Sequence, residues 1–407
     1  MNKTNSHGVR GKTLLSQLKY FKPTVCTNID YMHSILEGVM KRFFKFWFEE
    51  TVRIEDKYDF SLKSHSNEID KRLLNIRIPS FIPTSPRSIS DYKLWRAKEF
   101  LSFLVYFSLP IFYDLMEPIF FINLTKLVVS FEFLLSRKIL KSDLVHVKDL
   151  LNDFVMEVEQ IYPPNIMLSG MHEILHIVDC TLNFGPLNNV CCFQYEEINR
   201  KIVNLINSFD LIGVEFLLNF SVLQSLEIFC SSSTNVVFNE FIRKHNIVKT
   251  SNKKRVNQEK CDFGPLENVR DETFRIFCAN VDLDLENLDR SEIKSFKRLT
   301  LNGVLYTTTS NDSKKADYCV FVDSVYGQIV DFVKVKNKIY VVCQRIDHLL
   351  SPFYDEHFPQ IKSKTFLCNI TDETFITTVN KLKKVALIKI NDDLCFVAGL
   401  SISHLFL

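Results

Sequence analysis

Apolar positions recur at helical spacing through most of the first 230 residues. Between residues 31 and 48 the side chains at this spacing are Met32, Ile35, Leu36, Val39, Phe43, Phe46 and Trp47. They predict an amphipathic helix that begins close to Asp30, a residue type common at the N-cap. Further apolar stripes at 91–113, 118–136, 141–161, 166–182 and 194–229, separated by prolines, predict an extended helical block.

The pattern changes after this block. Residues 249–260 are basic and polar, which is typical of a linker. Short β-rich runs follow at 318–322, 328–333 and 339–342, separated by Gly, Asp and Lys-Asn turns. The predicted fold is therefore mainly α with a smaller β part. It consists of an irregular arm (1–29), a helical block (30–230), a linker region (231–290) and a small β-rich module (291–407).

Composition restricts the classes of function. The 407 residues are 46% hydrophobic and 24% charged, as in a soluble globular protein, and the net charge of +2 means that any DNA contact must be local. The 11 cysteines form no CxxC pair and the opening residues lack an apolar signal sequence, so we expect reduced thiols inside the cell. The apolar stretch 100–113 ends at Asp114, too short to span a membrane. The sequence gives no indication of an oligomeric state.

Two histidines stand four residues apart in the sequence MHEILH. This spacing places His172 and His176 on one face of a helix, where two imidazoles can share a metal ion. With Glu173 the run also satisfies the H-E-x-x-H pattern of zinc peptidases, and Glu196 follows at a distance suited to a third ligand. The five-residue pattern alone has low specificity, because it also arises by chance.

A second carboxylate and imidazole pair lies at the start of the first predicted helix. Asp30 and His33 are three residues apart and project from the same side. The pair is either a metal-binding element or an ordinary N-cap followed by a surface histidine.

Several short blocks resemble, in order, those of the CACTA (En/Spm-like) cut-and-paste DNA transposases and their animal relatives. The run from Asp30 to Lys41 resembles the family block D-x-M-H-x-x-x-x-G-V-x-K. Later matches are Pro86-Arg87-Ser88, Trp95-Arg-Ala-Lys-Glu99, Phe103-Leu-Val-Tyr106, Met171-His172 with His176, Phe184-Gly-Pro-Leu187 and Phe193-Gln-Tyr-Glu196. These blocks span roughly residues 8 to 200, and their common order is more specific than any single block.

The resemblance implies a DDE transposase, in which a split RNase H-like core is interrupted by a helical insertion. In that family three carboxylates hold two divalent ions for phosphodiester cleavage, and Glu196 matches the third acid. The resemblance also implies a structural zinc cage made by Asp30, His33, His172 and His176. Asp30 stands where a thiolate is more usual, so we expect weaker zinc affinity.

The first two catalytic aspartates of the family precede the D-x-M-H block. Only 29 residues precede Asp30 here, and none of them is Asp. Because a single carboxylate does not fix a pair of Mg²⁺ ions, we expect an inactive transposase remnant with no productive Mg²⁺ site. Its expected location is the nucleus or elsewhere inside the cell, and its expected role is to bind DNA or a protein partner. The alternatives are a zinc peptidase that uses His172, Glu173, His176 and Glu196, and a helical interaction scaffold without chemistry.

Overall fold

The protein is described here by a computed structural model. It describes residues 14–52, 57–82, 84–207, 210–232, 234–238, 240, 261–281, 290–310, 315–350, 353–390 and 395–399. The predicted linker at 249–260 and the first 13 residues of the predicted arm lie outside these ranges.

Helices make up most of the first part of the chain, as the apolar stripes predict. The first of the long ones is a π-helix, Met32–Met40, which continues directly into an α-helix. The α-helices are α1 (Pro23–Cys26), α2 (Lys41–Phe48), α3 (Ser66–Asn75), α4 (Ala97–Ser102), α5 (Ser108–Phe112), α6 (Pro118–Leu134), α7 (Asp143–Ile161), α8 (Ser169–Ile174), α9 (Ile177–Phe184), α10 (Phe193–Val203), α11 (Ile212–Ser232) and α12 (Asp271–Asn280). A second π-helix, Phe103–Phe107, lies between α4 and α5. None of the described helices is long and apolar enough to cross a membrane.

The strands form two antiparallel sheets. Their bounds are β1 (Cys261–Phe263), β2 (Glu267–Asn268), β3 (Ile293–Phe296), β4 (Arg298–Leu301), β5 (Val304–Thr307), β6 (Cys319–Val322), β7 (Val325–Val335), β8 (Lys338–His348), β9 (Thr365–Thr378), β10 (Lys383–Lys384), β11 (Ala386–Lys389) and β12 (Cys395–Ala398). The larger sheet has the order β10-β6-β7-β8-β9-β12-β11, with β3 added beside β7 and β2 beside β3, and the smaller has the order β1-β4-β5. The coarse prediction of a mainly helical fold with a smaller β part is therefore confirmed.

The chain divides into two compact units, whose bounds differ from those expected from the sequence. The first contains Met1–Val190 and Cys261–Leu407, and the second is Cys191–Lys260. The β part starts earlier than residue 291, since β2 pairs with β3 through Glu267 and Ser295. Strands of two or three residues have no readable periodicity, which explains why the sequence did not indicate β1 and β2. Helix α12 also lies in the expected linker region.

In the second unit, two side chains of α11 bond backbone groups of the residues that follow α10. Glu215 accepts a hydrogen bond from the backbone N–H of Asn207 at 2.9 Å, and the amide of Asn219 donates to the carbonyl of Leu205 at 2.6 Å. Helix α10 carries an ion pair between Arg200 and Glu197 at 2.7 Å.

Aromatic side chains form the centre of the helical region. Phe44 on α2 contacts six other rings, with the Phe103 ring centroid at 4.9 Å and the Trp95 centroid at 5.2 Å. Trp47 is also buried, and its indole N–H donates to the hydroxyl of Tyr162 at 2.9 Å. Buried aromatic rings contribute large apolar areas, and a buried indole N–H needs a partner of this kind. This core accounts for part of the large number of phenylalanines in the sequence, which contains 36.

Helix α6 joins the helical region to the large sheet through a buried carboxylate. Glu132 is 4% exposed and accepts a hydrogen bond from the backbone N–H of Lys364 at 2.8 Å and one from the hydroxyl of Ser363 at 3.2 Å. Both partners immediately precede β9. Burial raises the pKa of Glu132 to about 7, although these hydrogen bonds act in the opposite direction.

A buried cation on the same helix makes a second connection. Lys126 is 1% exposed, and its ammonium pairs with Asp153, with Glu157 at 2.6 Å and with Asp355 at 3.4 Å. Asp153 and Glu157 belong to α7, whereas Asp355 belongs to the segment before β9. A buried charge is tolerated when it is paired in this way, so Lys126 ties α6 to both neighbours.

Replacing Glu132 by Gln should remove a pH dependence of stability. The folded-state pKa of about 7 lies above the ordinary value of 4.5, so the folded protein binds this proton more tightly than the unfolded chain. Stability from this group is complete below pH 4.5 and is lost as the pH rises towards 7, by up to about 3 kcal/mol. Chemical denaturation at pH 5 and pH 7.5 measures this change in the free energy of unfolding.

The matched control is Glu159→Gln, because Glu159 is exposed on α7. We expect the difference in unfolding free energy between the two pH values to shrink in Glu132→Gln and to stay unchanged in Glu159→Gln. An unchanged difference in Glu132→Gln would contradict the assignment.

Candidate metal site

Asp30 and His33 form a hydrogen-bonded pair at the start of the first π-helix. One carboxylate oxygen of Asp30 accepts a hydrogen bond from the backbone N–H of Met32 at 3.2 Å, while the N-cap residue of the π-helix is Tyr31. The other oxygen pairs with Nδ1 of His33. A carboxylate bonded to one ring nitrogen fixes the orientation of the imidazole and leaves Nε2 to bind a ligand.

Helix α8, which carries the second histidine pair, packs against this π-helix. A Cβ atom added to Gly170 would lie 2.7 Å from the carbonyl oxygen of Ser34 and 3.0 Å from a methyl of Val39. Only glycine permits this close approach of two backbones. The two blocks that carry the Asp30 and His172 pairs are therefore neighbours in the fold.

His172 and His176 form the second pair. Their Nε2 atoms are 3.3 Å apart, and both side chains are exposed. A tetrahedral zinc ion with Zn–N distances of roughly 2.1 Å holds two ligand nitrogens about 3.4 Å apart. The pair thus has the separation needed for two ligands of one zinc ion, and without a metal one ring can donate a hydrogen bond to the other.

The HEILH run does not lie on one continuous helix. Helix α8 ends at Ile174, and α9 begins at Ile177 with His176 in the N-cap position. Glu173 instead shares a cleft of about 180 Å³ with His33 and Arg42. The H-E-x-x-H pattern of peptidases presents its two histidines from successive turns of a single helix. The local backbone here departs from that arrangement.

The predicted ligands form two pairs in neighbouring segments, since α8 packs against the π-helix that follows Asp30. Among the described residues, no set of three ligand atoms within 4.8 Å of one another includes His172 or His176. The residues fit two positions of a zinc site through the histidine pair, with His33 oriented by Asp30 on the adjacent helix. A single cage that contains all four remains a prediction.

Glu196, the predicted third catalytic acid, lies in the first turn of α10. This helix belongs to the second compact unit, whereas the two pairs belong to the first. In the expected catalytic centre Glu196 would act with two aspartates. The described residues before Asp30 contain no aspartate.

The intervening blocks have structural roles. The guanidinium of Arg87 bonds both carboxylate oxygens of Glu99, at 2.6 and 3.0 Å. The same carboxylate accepts from the backbone N–H of Arg96 at 2.8 Å and so caps α4. Trp95 packs its ring 5.4 Å from that of Phe100. The order of these blocks therefore corresponds to one connected part of the helical core.

Two further groups were not singled out by the sequence analysis. Lys126 and Glu132 are isolated charges in the otherwise apolar run of α6, and that isolation was a usable signal. A cleft on the large sheet, described below, is lined by residues from strands that are far apart in sequence. No short stretch of the sequence therefore indicated this cleft.

Comparison of the chain with protein-family models, with curated proteins and with solved structures found no match.

Zinc should stabilise the protein through the histidine pair. We expect Zn²⁺ at about 100 times its Kd to add about 2.7 kcal/mol to the free energy of unfolding, visible as a higher Tm. His172→Gln and His176→Gln should each remove most of this increase, because each deletes a ligand. Asp30→Asn should weaken zinc binding by roughly 10- to 100-fold through loss of the orienting carboxylate.

His146→Gln is the matched control, since His146 is exposed on α7. Metal analysis of the dialysed protein and thermal melts with Zn²⁺ or chelator provide the measurement. An equal zinc effect in all four variants would contradict a site at the histidine pair.

Proposed function

We propose that the chain is a remnant or domesticated relative of a CACTA-type DNA transposase. It does not cut DNA by itself, and its role is to bind DNA or a protein partner inside the cell. In this proposal the helical region corresponds to the insertion and tail of a split RNase H-like core. The β-rich part corresponds to the small module that follows the helical block in animal members of that family.

One observation carries this proposal. The D-x-M-H block and the MH-x-L-x-H block, which are distant in sequence, belong to packed helices, with Gly170 against Ser34. His33 and Glu173 line the same cleft. A family that uses the two blocks for one metal site requires this proximity, and a chance resemblance of short motifs does not.

The proposed role of the metal is structural. The histidine pair offers two nitrogen ligands, and the hydrogen bond from Asp30 orients a third imidazole nearby. Zinc held by four protein ligands, as in the predicted cage, stabilises the local fold and leaves no position for a water nucleophile. It would fasten α8 to the π-helix that precedes α2.

The proposed lack of nuclease activity rests on the number of carboxylate ligands. Two-metal phosphoryl transfer needs carboxylates that hold two ions about 3.5 to 4 Å apart. Glu196 is the one family acid that this sequence matches, and a lone carboxylate does not fix that geometry.

A zinc peptidase is the second candidate. The 3.3 Å separation of the histidine Nε2 atoms favours it, since a catalytic zinc also needs two close nitrogens. The break between α8 and α9 disfavours it, because Glu173 and the two histidines do not share one regular helix. A helical scaffold without metal chemistry is the third, and it predicts that chelation leaves the Tm unchanged.

We expect the purified chain neither to nick DNA with Mg²⁺ or Mn²⁺ nor to hydrolyse casein with Zn²⁺. Supercoiled plasmid relaxation and fluorescent casein assays measure the two activities. Metal-dependent nicking that is lost in Glu196→Gln but kept in the neighbouring Glu197→Gln would falsify the remnant proposal. Casein hydrolysis that is lost in Glu173→Gln but kept in Glu159→Gln would establish the peptidase instead.

A further inference from the structure

Four rings lie side by side across one face of the large sheet. We call Phe321 (β6), Tyr326 (β7), His348 (β8) and Phe366 (β9) the aromatic cluster. The centroid distances are 4.7 Å from Phe321 to Tyr326, 5.4 Å from Tyr326 to His348 and 3.8 Å from His348 to Phe366. The Tyr326 and Phe366 centroids are also 5.0 Å apart, so Tyr326, His348 and Phe366 contact one another and Phe321 joins them through Tyr326, on four consecutive strands of the sheet.

The aromatic cluster forms the floor of an open cleft of about 340 Å³. Phe366 is 2% exposed and belongs to the core, whereas Phe321 and Tyr326 are half-buried and His348 is exposed. Parts of the Phe321, Tyr326 and His348 rings are therefore accessible to a ligand and are not covered by the core. The volume matches a small organic ligand, for which sites usually begin at roughly 300 Å³.

The rim of the cleft is positive. Lys364, Lys383 and Lys384 line it, and no carboxylate is among the described residues of the lining. Lys384 is committed to Asp317, which is itself fully buried. Lys383 is exposed, with its ammonium 5.9 Å from the centre of the Phe321 ring.

Lys364 is the second cation available to a ligand. Its ammonium donates to the hydroxyl of Ser136 at 3.1 Å, and Glu132 is the carboxylate that acts on it. Burial lowers the pKa of Lys364, so an added anion would stabilise its charged form. Burial also lowers the pKa of His348, whose neutral ring then offers a stacking face.

We propose that this cleft binds a nucleotide unit, with the base against the aromatic cluster and the phosphate beside Lys364 and Lys383. Planar rings provide sequence-tolerant stacking for any base, and ammonium groups at the rim attract the phosphate. Asp347, next to His348 in β8, points to the other face of the sheet and pairs with Arg345 at 2.7 Å. The proposal goes beyond the transposase-like function and does not depend on it.

The test measures binding to the full chain by calorimetry with adenosine monophosphate, adenosine, inorganic phosphate and O-phosphotyrosine, and by fluorescence anisotropy with labelled hexathymidylate. We expect the nucleotide to bind at least about tenfold more tightly than adenosine or phosphate, because base and phosphate contribute together. Tyr326→Leu should weaken binding about tenfold through loss of stacking. Lys383→Ala should weaken it severalfold.

Lys338→Ala is the matched control, since Lys338 is an exposed lysine at the end of β8 opposite to His348. We expect its Kd to equal that of the unmodified protein. Hexathymidylate and the mononucleotide carry the same chemistry, and their relative affinities distinguish a strand from a free nucleotide as the source. Binding of either ligand supports the site when Lys383→Ala weakens that binding.

Three outcomes would overturn the proposal. If the cleft recognises both the base and the phosphate, the nucleotide binds more tightly than inorganic phosphate or adenosine. Equal affinities for these ligands would therefore reject the proposal. Tighter binding of O-phosphotyrosine points to a phosphopeptide instead. Equal weakening of binding by Lys338→Ala and Lys383→Ala would show only a general attraction between charges. Because Lys383 is exposed, its replacement leaves the fold intact.

Discussion

The placement of helix α6 depends on the satisfaction of its two buried charges. Lys126 and Glu132 lie in a helix whose other buried positions are mostly apolar, and each would cost several kcal/mol if left without a partner. Their partners are carboxylates of α7 and of the segment before β9 for Lys126, and the backbone and hydroxyl donors at 363–364 for Glu132. These partners join the helical and β parts of one unit, together with other contacts such as the hydrogen bond from the backbone N–H of Ser80 to Asp317 at 2.7 Å.

The same kind of constraint positions the candidate metal site. Gly170 allows α8 to approach the π-helix, while the aromatic contacts of Phe44 and the hydrogen bond between Trp47 and Tyr162 fix the elements around it. The two histidine-bearing segments are therefore held by core packing. A metal would join side chains whose backbones are already in place, which reduces the entropy cost of binding.

Local sequence pattern was sufficient for most of the helices between residues 91 and 232 and for β6, β7 and β8, since each has its own periodicity and its own turn residues, but α3 and α12 lie outside the predicted apolar stripes. It was insufficient for β1 and β2, whose two or three residues gain stability only from pairing with β4 and β3. It also indicated the two site pairs, because each pair is local. The aromatic cluster was beyond reach, since its four rings come together only after strands β6 to β9 are aligned.

The buried junction and the cleft on the sheet share residues, and this has a physical consequence. Ser363 and Lys364 are among the residues that line the cleft, while the hydroxyl of Ser363 and the backbone N–H of Lys364 bond Glu132. An anion bound beside the ammonium of Lys364 acts on the same charge as Glu132 does. Occupation of the cleft and protonation of Glu132 are then linked, and the linkage is reciprocal. Because Glu132 has a pKa of about 7, such coupling would operate at neutral pH, where small changes in the field around Lys364 alter the charge at the helix–sheet junction.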